Sequence, residues 1–280
     1  MKRQLWTVIA LLVSPQLALA QSAVEAISYN AGTTAVPGYN DLAAPLGAPA
    51  NTNGSNPFEG VVSPFNPPYK ANDLLSVGEN GHLTLRLSNY VLPQALSREI
   101  GVFTNVGLAD ADYPNGQADA GPFTFGVDSA LVEVSENGTS WASLGSVTFD
   151  IPANAYTDLT NPFSLTNGSE PADFQQPFTG SLSDFANKTY AGASPNILEL
   201  LDGSAGGTWL DISAAGLAQV GFIRFTVPEN LAANVSLELD AVSIARDAIG
   251  APTVPEPVTA VLLGTALLGL VFRLGRLRAH

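Results

Sequence analysis

The acidic stretch ADADYPNGQADAG, residues 109–121, contains the side chains best suited to binding an ion. Its oxygen-bearing side chains surround a Pro-Asn-Gly turn and belong to Asp110, Asp112, Asn115 and Asp119. Ca²⁺ prefers carboxylate and amide oxygens of this kind. The spacing is not that of an EF-hand loop, because one residue too many separates Asp112 from Asn115 and no Glu occupies the twelfth position. Two interpretations stay open: a calcium site made by these four residues, and a solvent-exposed acidic turn, which we favour.

Imidazole and thiol groups, on which most metal-dependent and triad enzymes depend, are scarce in this chain. There is no cysteine, and the two histidines are His82 and His280. His82 follows the turn sequence Asn80-Gly81 at a predicted strand start, a position typical of a solvated turn residue. We therefore predict that the protein is not an enzyme and has no cofactor. A glycoside hydrolase that uses two carboxylates stays open as a less favoured alternative.

Three aromatic residues are candidates for binding a carbohydrate: Trp209, Tyr113 and Tyr190. An exposed aromatic ring offers a flat apolar face on which a sugar can stack. Trp209, in the sequence GTWLDI, is equally compatible with a place in the core, because its alternate neighbours do not distinguish the two faces of a strand. Burial of these rings would remove the carbohydrate site that they predict.

The elements that must position these residues are predicted strands. Apolar and polar residues alternate at 82–87 (HLTLRL), 221–227 (GFIRFTV) and 235–244 (VSLELDAVSI), where Glu238 and Asp240 are expected to face outward. Residues 130–151 predict a hairpin, because two alternating runs flank the turn sequence Asn-Gly. Apart from one helical turn near 182–186, no helical spacing is evident. The pattern predicts a mainly β fold, an antiparallel jelly-roll-like β-sandwich over 72–248.

The segment 21–71 is rich in Gly, Pro and Asn and shows no apolar period. It is expected to pack on the sandwich or to lead into it. A long edge connection with a few short strands and a partly disordered segment both fit this composition.

The motif V-E-V-S-x-N-G-x-x-W at 132–141 resembles the strand–turn–strand of galactose-binding-like, discoidin-type modules. The body as a whole resembles a bacterial surface β-sandwich. This resemblance implies that Trp141 lies in the core. None of the ligand-binding motifs of these modules can be matched to this sequence, so the resemblance assigns no sugar site.

Charge is distributed unevenly along the chain. The formal net charge is −14, and all 25 Asp and Glu residues lie between positions 24 and 256, where only six Lys or Arg residues occur. Such an acidic body repels phosphate groups, which excludes nucleic acid as an expected partner.

The first twenty residues are typical of a secretory signal peptide. Lys2 and Arg3 precede an apolar run at 5–13, and small residues occupy Ala18 and Ala20. Signal peptidase is therefore an expected processing partner, with cleavage before Gln21. Because the exported chain lacks cysteine, its stability must come from a buried core without disulfide bonds.

The carboxyl end carries three features in a fixed order. The linker 249–257 ends with Val254, Pro255, Glu256 and Pro257. The apolar run 258–272 follows, and as a helix it would be about 22 Å long, which is marginal for a membrane core of about 30 Å. The tail 273–280 contains Arg273, Arg276 and Arg278, which place this end in the cytoplasm by the positive-inside rule.

This order resembles the PEP-CTERM sorting signal of Gram-negative bacteria. The resemblance implies that exosortase, an integral-membrane cysteine transpeptidase, recognises Pro255, Glu256 and Pro257 and processes the chain nearby. The helix 258–272 would then be a transient anchor in the inner membrane, retained by the arginines. The expected function is that of a non-enzymatic protein of the cell surface or extracellular matrix. A module that binds exopolysaccharide stays open as the alternative.

Overall fold

The computed structural model describes residues 21–54, 59–94, 97–229 and 236–253. These residues form antiparallel β-sheets with very little helix, which confirms the predicted mainly β class. The signal helix expected at 1–20, and the sorting tail expected at 254–280 with a transmembrane helix, both lie outside them. Within the described ranges, none of the helices has the length and apolar character needed to cross a bilayer.

Twelve strands can be traced through the described residues. In chain order they are β1 (Ala23–Asn30), β2 (Leu75–Gly78), β3 (Gly81–Val91), β4 (Ile100–Thr104), β5 (Gly107–Leu108), β6 (Thr124–Phe125), β7 (Asp128–Ser135), β8 (Ala142–Phe149), β9 (Thr208–Leu210), β10 (Val220–Val227), β11 (Ser236–Ile244) and β12 (Ile249–Pro252). The described helical elements are α1 (Ile197–Leu201) and 3₁₀ turns at Leu182–Phe185, Ser213–Ala215 and Arg246–Ala248. The first of these turns lies where the sequence predicted one.

Most strands belong to two sheets. The larger sheet has the order β1-β3-β10-β7-β8, with β12 paired to one end of β3, and the smaller has the order β2-β11-β4-β9. All of these pairs are antiparallel. Apart from the β7–β8 hairpin and the small β5–β6 ribbon, consecutive strands lie in different sheets. The chain therefore crosses from one sheet to the other at nearly every connection.

The inner faces of both sheets contribute to one buried apolar cluster. The predicted inward residues of β3, β10 and β11 all belong to it: Leu83, Leu85, Leu87, Ile223, Phe225, Val227, Leu237, Leu239 and Ala241. Phe149 of β8 contacts Phe225 edge to face, with ring centroids 6.1 Å apart. Burial of this cluster is the main source of stability in a chain without disulfide bonds.

The predicted hairpin at 130–151 is confirmed as β7 and β8. Gly138 has a φ of +75°, and the Asn137 carboxamide oxygen accepts hydrogen bonds from the amides of Thr139 and Ser140. The resemblance implied that Trp141 lies in the core. Trp141 is instead half-buried on the outer side of the larger sheet. There the guanidinium of Arg224 lies 4.3 Å from the centre of its ring, an arrangement that provides a cation–π contact.

The segment 21–71 packs on the sheets. It begins with β1 and then runs along the edge of the smaller sheet, where Asn40 forms a bridge with Leu75 of β2. Farther along, the Ala50 amide donates to both carboxylate oxygens of Asp240, at 3.1 and 3.0 Å. Glu238 and Asp240 were predicted to face outward. They do so with respect to β11, yet both are buried.

The two ends of the described body meet at Ser88 of β3. The Ser88 amide donates to the Ser22 carbonyl at 2.9 Å, and the Thr253 amide donates to the Ser88 carbonyl at 3.0 Å. Residues 249–252, expected to begin a linker, instead form β12. Both segments that lead to the expected membrane-directed ends of the chain therefore join the body at the same place.

Candidate functional site

The strongest candidate for a binding site in the described residues is a groove of about 490 Å³ beside the acidic turn. Its apolar lining comes from four separate stretches of chain and comprises Phe65, Tyr69, Leu108, Tyr113, Phe125, Phe163 and Leu165. Its polar lining comprises Glu59, Asn66 and Asp110. A concave, mainly aromatic surface with a few polar groups is the usual form of a small-ligand site.

Tyr113 is the most prominent side chain of this aromatic groove. It is 74% exposed, and its ring contacts Phe163 edge to face, with centroids 5.2 Å apart and an interplanar angle of 63°. Leu165 and Phe123 are also largely exposed. Large apolar side chains grouped at a surface commonly mark an interaction site.

The turn that carries Tyr113 is held by Asp110. One carboxylate oxygen of Asp110 accepts hydrogen bonds from the amides of Asp112 and Gln117, at 2.9 and 2.8 Å. The other accepts from the amide of Gly116 at 2.9 Å. Gly116 has a φ of +77°, and an added Cβ would lie 2.6 Å from Pro162. The turn is therefore fixed by its own hydrogen bonds and by close packing.

The four residues predicted as calcium ligands have different roles in the structure. Asp110 accepts three hydrogen bonds from backbone amides, and the Asn115 carboxamide donates to Asp112 at 3.1 Å. Asp119 uses its backbone carbonyl to accept from the Asn187 amide. Across the described ranges, no three His, Cys, Asp or Glu side chains group as metal ligands. A calcium ion at this turn would have to compete with the amides for Asp110, and the site stays a prediction.

The other two predicted aromatic platforms are buried. Trp209 is 5% exposed, its indole N–H donates to the Gly206 carbonyl at 2.9 Å, and its ring packs on Gly101. Tyr190 has no exposed surface, and its hydroxyl donates to the Asn154 carboxamide at 3.1 Å. A sugar cannot reach either ring, so Tyr113 alone of the three can serve as a stacking platform.

Tyr69 brings a phenol to the wall of the same groove. Burial, with a smaller contribution from Tyr39, raises the pKa of Tyr69 to about 12. Its hydroxyl is therefore fully protonated at neutral pH. The Tyr39 hydroxyl donates to the Tyr69 carbonyl at 3.0 Å and fixes this part of the wall.

Sequence reasoning identified Tyr113 and Asp110 but missed the rest of the groove. Phe163 and Leu165 lie in a long connection without periodic spacing, and Glu59 and Tyr69 lie in the Gly- and Pro-rich segment. The one available signal was the sequence NPFSLTNG, in which two large apolar residues occur among turn-forming residues.

The hydrolase alternative requires two carboxylates that converge in an open cleft. Asp128 and Glu238 do come together, since the Glu238 amide donates to the Asp128 carboxylate at 2.9 Å. Both residues are buried, however. Burial and the neighbouring Glu238 raise the pKa of Asp128 well above its ordinary value. This pair is a structural contact with no path to a substrate.

Comparisons with known proteins leave the site to be interpreted from its own chemistry. No protein-family model matches the chain, and no curated protein sequence matches it. The function therefore has to be argued from the two terminal segments and the aromatic groove.

Proposed function

We propose that this protein is an exported, non-enzymatic component of the cell surface or extracellular matrix, sorted by a PEP-CTERM signal. The observation that carries the proposal is the order of features in the last 27 residues: Val-Pro-Glu-Pro, one apolar run and an arginine cluster. The signal sequence at 1–20 and a body that needs no disulfide bonds are consistent with export. Exosortase and signal peptidase are the proposed processing enzymes.

The body is proposed to be a jelly-roll β-sandwich between two terminal helices, the signal helix and the transmembrane anchor. The strand orders support this class, because β2-β11-β4-β9 and β3-β10-β7-β8 are two four-stranded groups between which the chain alternates. β1 and β12 extend the second group.

The sorting proposal predicts that carboxyl-terminal processing depends on exosortase. In cells with the enzyme, a tagged chain should lose its last residues and appear outside the cell, whereas in an exosortase deletion it should stay full-length in the inner membrane. A variant with Pro255→Ala, Glu256→Gln and Pro257→Ala should behave in normal cells as the unaltered chain does in the deletion. Intact mass spectrometry of the recovered protein measures both effects. Exported protein that still ends in His280 when exosortase is present would refute the proposal.

Carbohydrate binding in the aromatic groove is the second candidate function, and the exposure of Tyr113 favours it. Glu59 and Asp110 are acidic, and no Lys or Arg lines the groove in the described residues. With a chain of net charge −14, acidic polysaccharides would be repelled. The proposed ligand is therefore a neutral or amino-sugar exopolysaccharide.

The position of the groove also suits this role. β3 runs from Gly81 to Val91, and both ends of the body join it at Ser88. Across the sheet, His82 lies level with Thr226 and Leu131, and β7 continues from Leu131 away from Ser88 to Asp128. Phe125 of the groove precedes Asp128, so it lies toward the pole opposite to the attachment point. A body tethered at Ser88 would thus present the groove away from the membrane.

The glycan proposal predicts that Tyr113→Ala weakens binding at least tenfold, a loss of about 1.4 kcal/mol, because the exposed ring provides the stacking surface. Ile27→Ala, which removes an exposed apolar side chain from β1, is the matched control and should leave the affinity unchanged. Calorimetric titration with neutral, amino and acidic oligosaccharides measures the effect. Equal affinity of Tyr113→Ala and the unaltered protein would exclude the groove as the glycan site.

A further inference from the structure

We infer that β12 and Thr253 form part of the substrate segment that the processing enzyme binds, and that they must leave β3 before processing occurs. This inference rests on the sorting function proposed above. It adds a described element of the fold to a recognition signal that the sequence places entirely beyond residue 253.

β12 continues one edge of the larger sheet up to the last described residue. The Leu92 amide donates to the Ala248 carbonyl at 2.7 Å, and the register pairs Ile249 with Val91 and Pro252 with Asn89. Thr253 then donates its amide to the Ser88 carbonyl at 3.0 Å, and its hydroxyl also donates to backbone carbonyls of β3. The chain is thus hydrogen-bonded to the sheet as far as Thr253, the residue that precedes the Val-Pro-Glu-Pro sequence.

The distance along the chain leaves little room for an enzyme. Four residues separate Thr253 from position 258, where the apolar run begins, and even a fully extended chain of four residues spans only about 14 Å. Enzymes and receptors that bind peptides commonly take them as extended strands through main-chain hydrogen bonds. If the cleft of the processing enzyme also binds residues that precede the motif, it needs the backbone N–H and C=O groups of β12 and Thr253. In the fold these groups face β3.

β12 is suited to such an exchange because it is weakly held. It is four residues long, Ala251 and Pro252 are exposed, and the register is irregular between Ile249 and Pro252. Pro252 has no N–H to donate to the sheet. Short, exposed strand ends of this kind open locally at a small fraction of the cost of global unfolding. Release of β12 lengthens the accessible segment without disturbing the core.

A disulfide lock tests the inference. Asn89→Cys and Pro252→Cys place two thiols on directly paired residues, whose Cα atoms in an antiparallel ladder lie about 5 Å apart, within disulfide range. The chain has no other cysteine, so the cross-link is unambiguous. The full-length variant, oxidised or reduced, is incubated with membranes that contain exosortase. The two single-cysteine variants and the unaltered chain, each with and without reductant, are the controls.

We expect the cross-linked chain to be processed at least tenfold more slowly than its reduced form, with full recovery after reduction. Equal rates for the oxidised and reduced forms would overturn the inference while leaving the sorting function intact. Absence of processing in the unaltered chain would instead overturn the sorting function, and this inference with it.

A second variant tests the opposite direction. An added Cβ on Gly250 would lie 2.8 Å from the Tyr90 carbonyl oxygen, so Gly250→Val should push β12 away from β3. Ala251→Val, at the exposed neighbouring position, is the matched control. Gly250→Val should speed hydrogen exchange of the Thr253 amide, which donates to the Ser88 carbonyl, and speed processing several-fold. Faster exchange without faster processing would contradict the inference.

Discussion

Trp209→Ala is expected to lower the free energy of unfolding by about 3–5 kcal/mol, as truncation of a buried tryptophan usually does. The indole is 5% exposed and lies next to the backbone of Gly101 on the adjacent strand β4. The substitution leaves a cavity and removes the donor to the Gly206 carbonyl. Because folded domains are typically stable by only about 5–15 kcal/mol, this loss is a large share of the total.

Tyr113→Ala is the matched control for this prediction. Since Tyr113 is 74% exposed, its truncation should change stability by no more than about 0.5 kcal/mol. Urea denaturation of both variants and the unaltered mature protein, followed by circular dichroism, measures the difference. A loss below about 1 kcal/mol for Trp209→Ala would mean that the indole is not packed as described, and Trp209 would again be available for binding.

The strands were predictable where side-chain alternation alone determines which face is buried. The runs at 82–87, 221–227 and 235–244 form β3, β10 and β11, and the Asn-Gly hairpin joins β7 to β8. In each case the sequence itself carries the period of two that a half-buried strand requires. The pairing of β2 with β11 could not be predicted, because contacts between distant strands leave no local pattern.

Glu238 and Asp240 show where the alternation rule stops being sufficient. Both lie on the outer side of β11, as predicted, but the segment that precedes β2 covers that side and buries them. A Gly- and Pro-rich segment without a period gives no sign of what it will cover. Trp141 is the opposite case, because it was expected in the core and lies half-buried outside it. Its partner Arg224 comes from a strand some eighty residues away in the sequence, so no local pattern could indicate this contact.

The aromatic groove was predictable only in part for a similar reason. Tyr113 was predictable as an aromatic candidate, but the ring it contacts, Phe163, lies in the connection between β8 and the 3₁₀ turn at Leu182–Phe185, a described stretch without a helix or strand. Loops place side chains through many individual contacts, and none of these has a regular spacing in the sequence. The composition of a loop-built site therefore has to come from the structure.

The second large effect expected is a loss of stability as the pH rises. Burial raises the pKa of Asp128 and of Asp240 well above the ordinary value, and the charge of Glu238 adds to the effect at Asp128. At Asp240 the hydrogen bond from the Ala50 amide and the charge of Lys70 oppose the rise, whereas the charge of Asp73 adds to it. In the unfolded chain both carboxyls titrate near pH 3.9. Above that pH the folded state holds more protons than the unfolded state, so each increase in pH costs stability until the folded pKa has been passed.

The free energy of unfolding should therefore be highest near pH 4–5 and fall toward pH 8, by about 1.4 kcal/mol for every unit by which folding raises a carboxyl pKa. Hydrogen bonds from Ser169 lower the pKa of the exposed Asp158 carboxyl. Protonation of Asp158 therefore lowers the free energy of unfolding only at pH values below this range. Asp240→Asn keeps an acceptor for the Ala50 amide without a titrating proton, so the fall should shrink in this variant. Asp112→Asn, at an exposed acid, should retain the full pH dependence. Urea titrations of the unaltered protein, Asp240→Asn and Asp112→Asn at pH 4.5, 6 and 8 measure these differences. A free energy of unfolding of the unaltered protein that rises toward pH 8 would show that the buried carboxyls are not protonated in the fold.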